Sequence, residues 1–120
     1  MARSTKQQLA TYERRYRELA AKLADIGFIA SGSLALRHNR CGTKTCRCHA
    51  DPPQLHGPYW QWTAKVNGKT VNRRLTQSEA ELYQEWIAND RRHRALVAKM
   101  REVAAKATEL LLKENAKREG

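Results

Sequence analysis

Apolar residues open the chain at Leu9, Tyr12, Tyr16, Leu19, Leu23 and Ile26, alternating steps of three and four. Sustained over about three heptads, that alternation predicts an amphipathic helix with an a/d seam across Thr5–Ile26, about 33 Å long. Ser4 or Thr5 can cap its start, and Gly27 stands where a C′ glycine would end it. Phe28 and Ile29 are expected to turn inward and close the base of the seam. Ser31-Gly32-Ser33 breaks the pattern, and Leu34-Ala35-Leu36 is too short for periodicity to choose between a strand and a turn of helix.

The period changes to two after Gly57-Pro58. Tyr59–Val66 is aromatic and β-branched, Asn67-Gly68 is the favoured pair for a two-residue type I′ turn, and Lys69–Leu75 returns. Such a turn sets the register: Val66 opposite Lys69, Ala64 opposite Val71, Trp62 opposite Arg73 and Trp60 opposite Leu75. One face then carries Trp60, Trp62, Ala64, Val66, Val71 and Leu75, expected to pack on the helices. The other carries Gln61, Thr63, Lys65, Thr70, Asn72 and Arg74.

Thr76-Gln77-Ser78-Glu79 spells a capping box before a helix expected to run to about Lys117, some 60 Å. Its seam reads Leu82, Trp86, Asn89, His93, Leu96, Met100, Val103, Ala107 and Leu110, polar at Asn89 and His93. The expected fold is α+β and mainly helical: two long antiparallel helices flank a small zinc knuckle plus β-hairpin. The segments are 1–27, 28–76 and 77–120, forming one structural unit. The second helix outruns the first, so it either bends at the polar break or pairs its distal half with a second copy.

Composition sharpens where a partner would act. The 120 residues carry 23 Lys plus Arg against 12 Asp plus Glu, a net charge of +11, with a mean hydropathy of −0.79. Residues 1–30 hold six basic and three acidic side chains, and 77–120 hold nine and eight, whereas 31–76 hold eight basic residues and only Asp51. The field therefore comes from the centre, which favours a polyanionic partner, nucleic acid ahead of an anionic membrane. No window approaches a membrane span and the first residues lack a signal-peptide core. The chain reads as cytoplasmic, where thiols stay reduced and an odd count of three cysteines is no disulfide framework.

All three cysteines fall in Cys41–His56. Zinc takes four soft or borderline ligands in a tetrahedron, and Cys41, Cys46, Cys48 and His56 are the economical set, with His49 as substitute for His56. Four protein ligands leave no open position, which makes the ion structural. Two other readings stand beside this one: a turn whose reduced cysteines are small buried hydrophobes, and a reactive thiol activated by Arg40, Lys44 and Arg47. The last lacks a base-and-orienter pair, and no carboxylate pair or phosphate loop occurs elsewhere, so the chain reads as non-enzymatic.

A two-stranded ribbon fits the major groove of duplex DNA, and Gln, Asn, Arg and Lys make base-edge contacts there. Gln61, Lys65, Asn72 and Arg74 are the candidates for that role, with Arg37, Arg40, Lys44, Arg47, Lys69 and Arg73 as phosphate contacts. Tyr59, Trp60 and Trp62 can alternatively stack bases of a single strand, although alternation with polar residues assigns the two tryptophans to the core. A second class of function is an adaptor or inhibitor that binds a protein partner through its long heptad helix.

The motifs Gly32-Ser33-Leu34, Arg40-Cys41-Gly42, Cys46-Arg47-Cys48, His56-Gly57-Pro58-Tyr59 and Gly68-Lys69-Thr70 resemble those of a family of short basic bacterial proteins of unknown function. The resemblance spans roughly residues 31–90. It departs at Thr43, where the family pattern has Lys and Lys44 follows. It implies a bacterial cytoplasm and a setting around mobile elements, plasmids and phages, with no activity to carry over.

Overall fold

The computed structural model describes residues 3–120, in the order α1 (Thr5–Ala24), β1 (Ser33–Asn39), a single 3₁₀ turn (Arg47–His49), β2 (His56–Val66), β3 (Lys69–Leu75) and α2 (Gln77–Glu119). The chain is α+β. These residues divide into two compact units, one of residues up to Phe28 with Asn89–Gly120, the other Ile29–Ala88. The long helix contributes its first turns, residues 77–88, to the second of these and its remainder to the first.

In the helical unit Ser4 caps α1 and exchanges a reciprocal capping box with Gln7. The helix stops at Ala24, earlier than expected, because Asp25 serves as C-cap and its amide turns back to Leu23 and Lys22. Gly27 is not a left-handed C′ residue. Its missing Cβ instead leaves room for the Asn89 side-chain amide, which would lie 3.3 Å from an added Cβ. The two helical segments run antiparallel: Leu9 and Tyr12 line a groove with Ala107 and Leu111, while Lys22 and Ile26 lie beside Leu96 and Lys99.

Leu19 and Val103 are buried on this seam, and so is Asn89, at 3% exposure. Asn89 donates from Nδ2 to the Phe28 carbonyl at 2.8 Å and accepts from Arg92. The polar break thus holds the chain leaving α1 against α2, and its buried groups are paired as burial requires. The expectation for Phe28 and Ile29 fails: they are 84% and 49% exposed. It is the Phe28 backbone that is anchored.

The second unit is a three-stranded antiparallel sheet in the order β1-β2-β3. The hairpin register is as expected, Trp60↔Leu75 through Val66↔Lys69. Asn67 and Gly68 have φ of 52° and 79°, the left-handed pair that a type I′ turn demands. The undecided segment around Leu34 is the third strand, pairing Ser33↔Thr63, Leu34↔Trp62, Ala35↔Gln61, Leu36↔Trp60 and Arg37↔Tyr59. Gly32 makes that approach possible. At its φ of +103° an added Cβ would sit 2.5 Å from the Thr63 carbonyl and 2.8 Å from Trp62 Nε1.

The inner face packs on the first turns of α2 through a chain of rings, Trp62 to Tyr83 at 5.0 Å and Tyr83 to Trp86 at 5.1 Å between centroids. Both sheet indoles find acceptors, Trp62 Nε1 on the Ser31 carbonyl at 2.9 Å and Trp60 Nε1 on Gln77 Oε1 at 2.7 Å. The core is Ala64, Leu75, Ala80 and Ile87. Val66, expected in the core, is exposed at the hairpin tip. Leu82 is exposed also, because the stripe of α2 toward the sheet is Ala80, Tyr83 and Ile87 rather than the extrapolated heptad. The capping box forms as expected: Glu79 N–H donates to Thr76 Oγ1 and Thr76 N–H to Glu79 Oε1. These bonds from Thr76 hold the Glu79 carboxyl below its usual value, with Arg73 adding to the effect.

Candidate metal centre

The connection from β1 to β2 brings the reactive residue types together. Arg47–His49 forms one 3₁₀ turn, and the Thr43 and Cys46 carbonyls accept from the amides of Cys46 and His49 at 3.1 and 2.9 Å. These short turns aim Cys41, Cys46 and Cys48 inward. The fourth group comes from the sheet. Between the pairs Asn39↔His56 and Arg37↔Tyr59 the second strand carries one more residue than the first, a bulge at Gly57-Pro58. Bulges re-aim side chains, and here His56 faces the thiols instead of following the strand's alternation. Gly57 is needed there: at φ +115° a Cβ would lie 2.7 Å from the Arg37 carbonyl.

The ligand atoms of Cys41, Cys46, Cys48 and His56 all lie within 4.8 Å of one another. Cys46 Sγ is 3.2 Å from His56 Nε2, and Cys41 Sγ is 3.6 Å from Cys48 Sγ. A tetrahedral ion bound at ordinary Zn–S and Zn–N lengths has ligand–ligand edges of about 3.5–3.8 Å. This Cys₃His cluster can therefore hold a metal ion with little rearrangement. Cys48 is fully buried and accepts a bond from the Cys41 amide at 3.3 Å, an outer contact that orients the sulfur.

The two end thiols differ in environment. The Thr43 backbone bond, then bonds from His56 and Cys48, lower Cys41 to about 6, whereas desolvation raises Cys48. Such a set is poised to yield one thiolate readily and to need a compensating cation for a buried second one. His49, the substitute ligand, points elsewhere: its Nε2 is 2.7 Å from the Cys41 carbonyl oxygen. It braces the loop from outside the cluster.

A protein-family profile, described as a domain of unknown function (DUF6788), matches residues 9–84. The chain belongs to this family. The matched span takes in most of α1, the whole sheet, the Cys₃His loop and the first turns of α2. No curated protein and no solved structure matches the chain.

The basic and polar candidates separate by face. Strand parity places Gln61, Lys65, Asn72 and Arg74 on the outer side of the sheet, and the added strand brings Arg37 there beside Tyr59. Thr63 Oγ1 donates to Asn72 Oδ1 at 2.8 Å, leaving the Asn72 amide protons free to point outward. Lys69 and Arg73, grouped above with phosphate contacts, lie on the opposite face, where Arg73 Nη1 is 3.4 Å from Tyr83 Oη. Arg40, Lys44 and Arg47 are exposed on the loop. Sequence reasoning missed the contribution of Ser33 and Ala35 to the outer face, since Ser33 read as part of a break and the three residues Leu34-Ala35-Leu36 are too few to choose between a strand and a turn of helix. It also missed the stacking of Arg74 on Tyr59, 4.4 Å from Cζ to ring centroid.

Proposed function

We propose that this protein is a non-enzymatic nucleic-acid-binding protein, stabilised by a structural zinc ion, that contacts double-stranded DNA with the outer face of its sheet and the basic loop beside it. One observation carries the reading. The outer face comprises Ser33, Ala35, Arg37, Tyr59, Gln61, Thr63, Lys65, Thr70, Asn72 and Arg74, polar or basic almost throughout and without one carboxylate. Solvated faces are ordinarily mixed in sign, as the exposed faces of α1 and α2 are here, so a single-sign face supports a polyanionic partner. The loop with Arg40, Lys44 and Arg47 leaves the sheet at the end where Arg37 and Tyr59 lie, which extends the positive surface.

Zinc suits three thiolates and an imidazole better than a hard cation does, and four protein donors close the coordination shell. The ion's role is then to hold the loop, and no substrate position remains at it. The resemblance to proteins of bacterial mobile elements fits an accessory or regulatory role in mobile DNA within the cytoplasm. Among the described residues no helix is long and apolar enough to cross a membrane.

Fluorescence anisotropy with a random-sequence duplex tests the reading. Wild-type protein is expected to bind with affinity that falls steeply with salt, and the Lys65→Glu/Arg74→Glu double variant to lose at least about tenfold at low salt. Unchanged retention by that variant sinks the sheet-face reading.

A second reading rests on the helical unit. Leu9, Tyr12, Tyr16, Val103, Ala107 and Leu111 line an open apolar groove of about 480 Å³. A helical adaptor or inhibitor docking on a protein, or a homodimer joined through its helices, would use that groove. A complex that survives nuclease and high salt would favour it over direct nucleic-acid binding.

A further inference from the structure

We infer that Arg74, stacked on Tyr59, is the base-reading side chain of the sheet and recognises guanine from the major groove. The inference rests on the nucleic-acid reading above and deepens it to a base preference. The outer face is a grid in which directly opposed residues share a row: Ser33, Thr63 and Asn72, then Ala35, Gln61 and Arg74, with Arg37 and Tyr59 at the end next to the loop. Strand β1 supplies short side chains to the first two rows, so a base-pair edge can approach the sheet closely there. The long side chains that reach it are Gln61 and Arg74.

Arg74 is distinguished from the other basic residues by what holds it. Its Cζ lies 4.4 Å from the Tyr59 ring centroid, within the range of a cation–π contact. That contact holds the guanidinium over the ring and restricts the side chain's rotamers before any partner arrives. A planar fork held in place matches the paired acceptors O6 and N7 of guanine, whereas a freely moving cation serves a phosphate as well. No carboxylate on the outer face competes for the fork, and the groups facing it there are Tyr59 and Gln61. Gln61, directly across from Arg74, is then placed over the neighbouring base pair.

Selection from a random duplex pool tests the assignment, followed by affinity measurement on the selected site. Wild-type protein is expected to enrich one guanine position, and 7-deazaguanine there, which removes the N7 acceptor, to weaken binding about 5- to 150-fold. Arg74→Lys keeps the charge and loses the fork. It should retain the salt slope, lose the guanine enrichment and become indifferent to 7-deazaguanine. Tyr59→Phe keeps the ring and should keep the preference, whereas Tyr59→Leu should blunt it while the thermal melt stays cooperative. Duplex binding with no guanine dependence in the wild type, or a preference that persists in Arg74→Lys, overturns the inference and leaves the nucleic-acid reading standing. Enrichment from single-stranded pools alone also overturns it. Failure to retain any nucleic acid removes both.

Discussion

The helical unit and the sheet unit are built on opposite economies of information. In the first, Leu19 and Val103 sit on a repeating seam and the decisive tertiary feature is one buried amide, Asn89, bonded to the Phe28 carbonyl. In the second, few residues repeat, and a bulge, three glycines at positive φ and four clustered donors decide the shape. A periodic unit distributes its stability over many equivalent contacts, so single losses are graded. A unit joined by a few non-local contacts loses order abruptly when one of them goes, which is why small sheets and loops so often depend on a metal.

The comparison can be broken most directly at the cluster. Cys48→Ser, or removal of metal by a strong chelator, is expected to abolish hydrogen-exchange protection across residues 40–58 and the adjoining ends of β1 and β2. Helical circular dichroism should fall only slightly. Structural zinc sites contribute about 10–16 kcal/mol of apparent binding free energy in small modules, so this is the largest effect foreseen. Equal loss of protection in α1 would show that the two units do not differ in the way described.

Asn89→Ala sharpens the other side. It leaves the Phe28 carbonyl without its donor and opens a small void, at a cost of about 1–3 kcal/mol. Denaturant unfolding should show that loss while the metal stoichiometry, read by native mass spectrometry, stays the same. A variant that expels the metal would contradict the separation.

The smallest effect is at the start of α2. Glu79 is held below its usual value by Thr76, so its folded-state pKa lies below its unfolded one. Its contribution is therefore present above the unfolded value, near 4.5, and is lost as pH falls through the lower folded value. Thermal melts of the wild type and Glu79→Gln should differ at neutral pH and converge in acid. A difference that is constant with pH would show that the carboxylate charge plays no part.

Much of the architecture was legible because local rules carry it. The Asn67-Gly68 turn permits one hairpin register, so Trp60↔Leu75 followed from the turn alone, and Thr76-x-x-Glu79 marked the start of α2 in the sequence. The set Cys41, Cys46, Cys48 and His56 could likewise be proposed from ligand chemistry. Where sequence reasoning failed, the competing force was non-local. Extending the heptad back to Leu82 assumed a helix partner, but a sheet covers that part of α2 and selects Ala80, Tyr83 and Ile87. Phe28 and Ile29 were assigned inward on hydrophobicity, yet the Asn89 bond fixes the backbone there and leaves the side chains outside.

By itself, the sequence determined the helices, their N-terminal caps, the hairpin and its register, and the central concentration of positive charge, all of which depend on neighbours a few residues apart. Only the tertiary structure decided that Leu34-Ala35-Leu36 joins the sheet, that His56 rather than His49 faces the thiols, and that Arg74 lies on Tyr59. Each of these depends on which distant backbone comes alongside: β1 must find β2, the bulge at Gly57 must turn His56, and Arg74 must lean across a strand. Spacing along a chain does not encode such meetings until the sheet has formed.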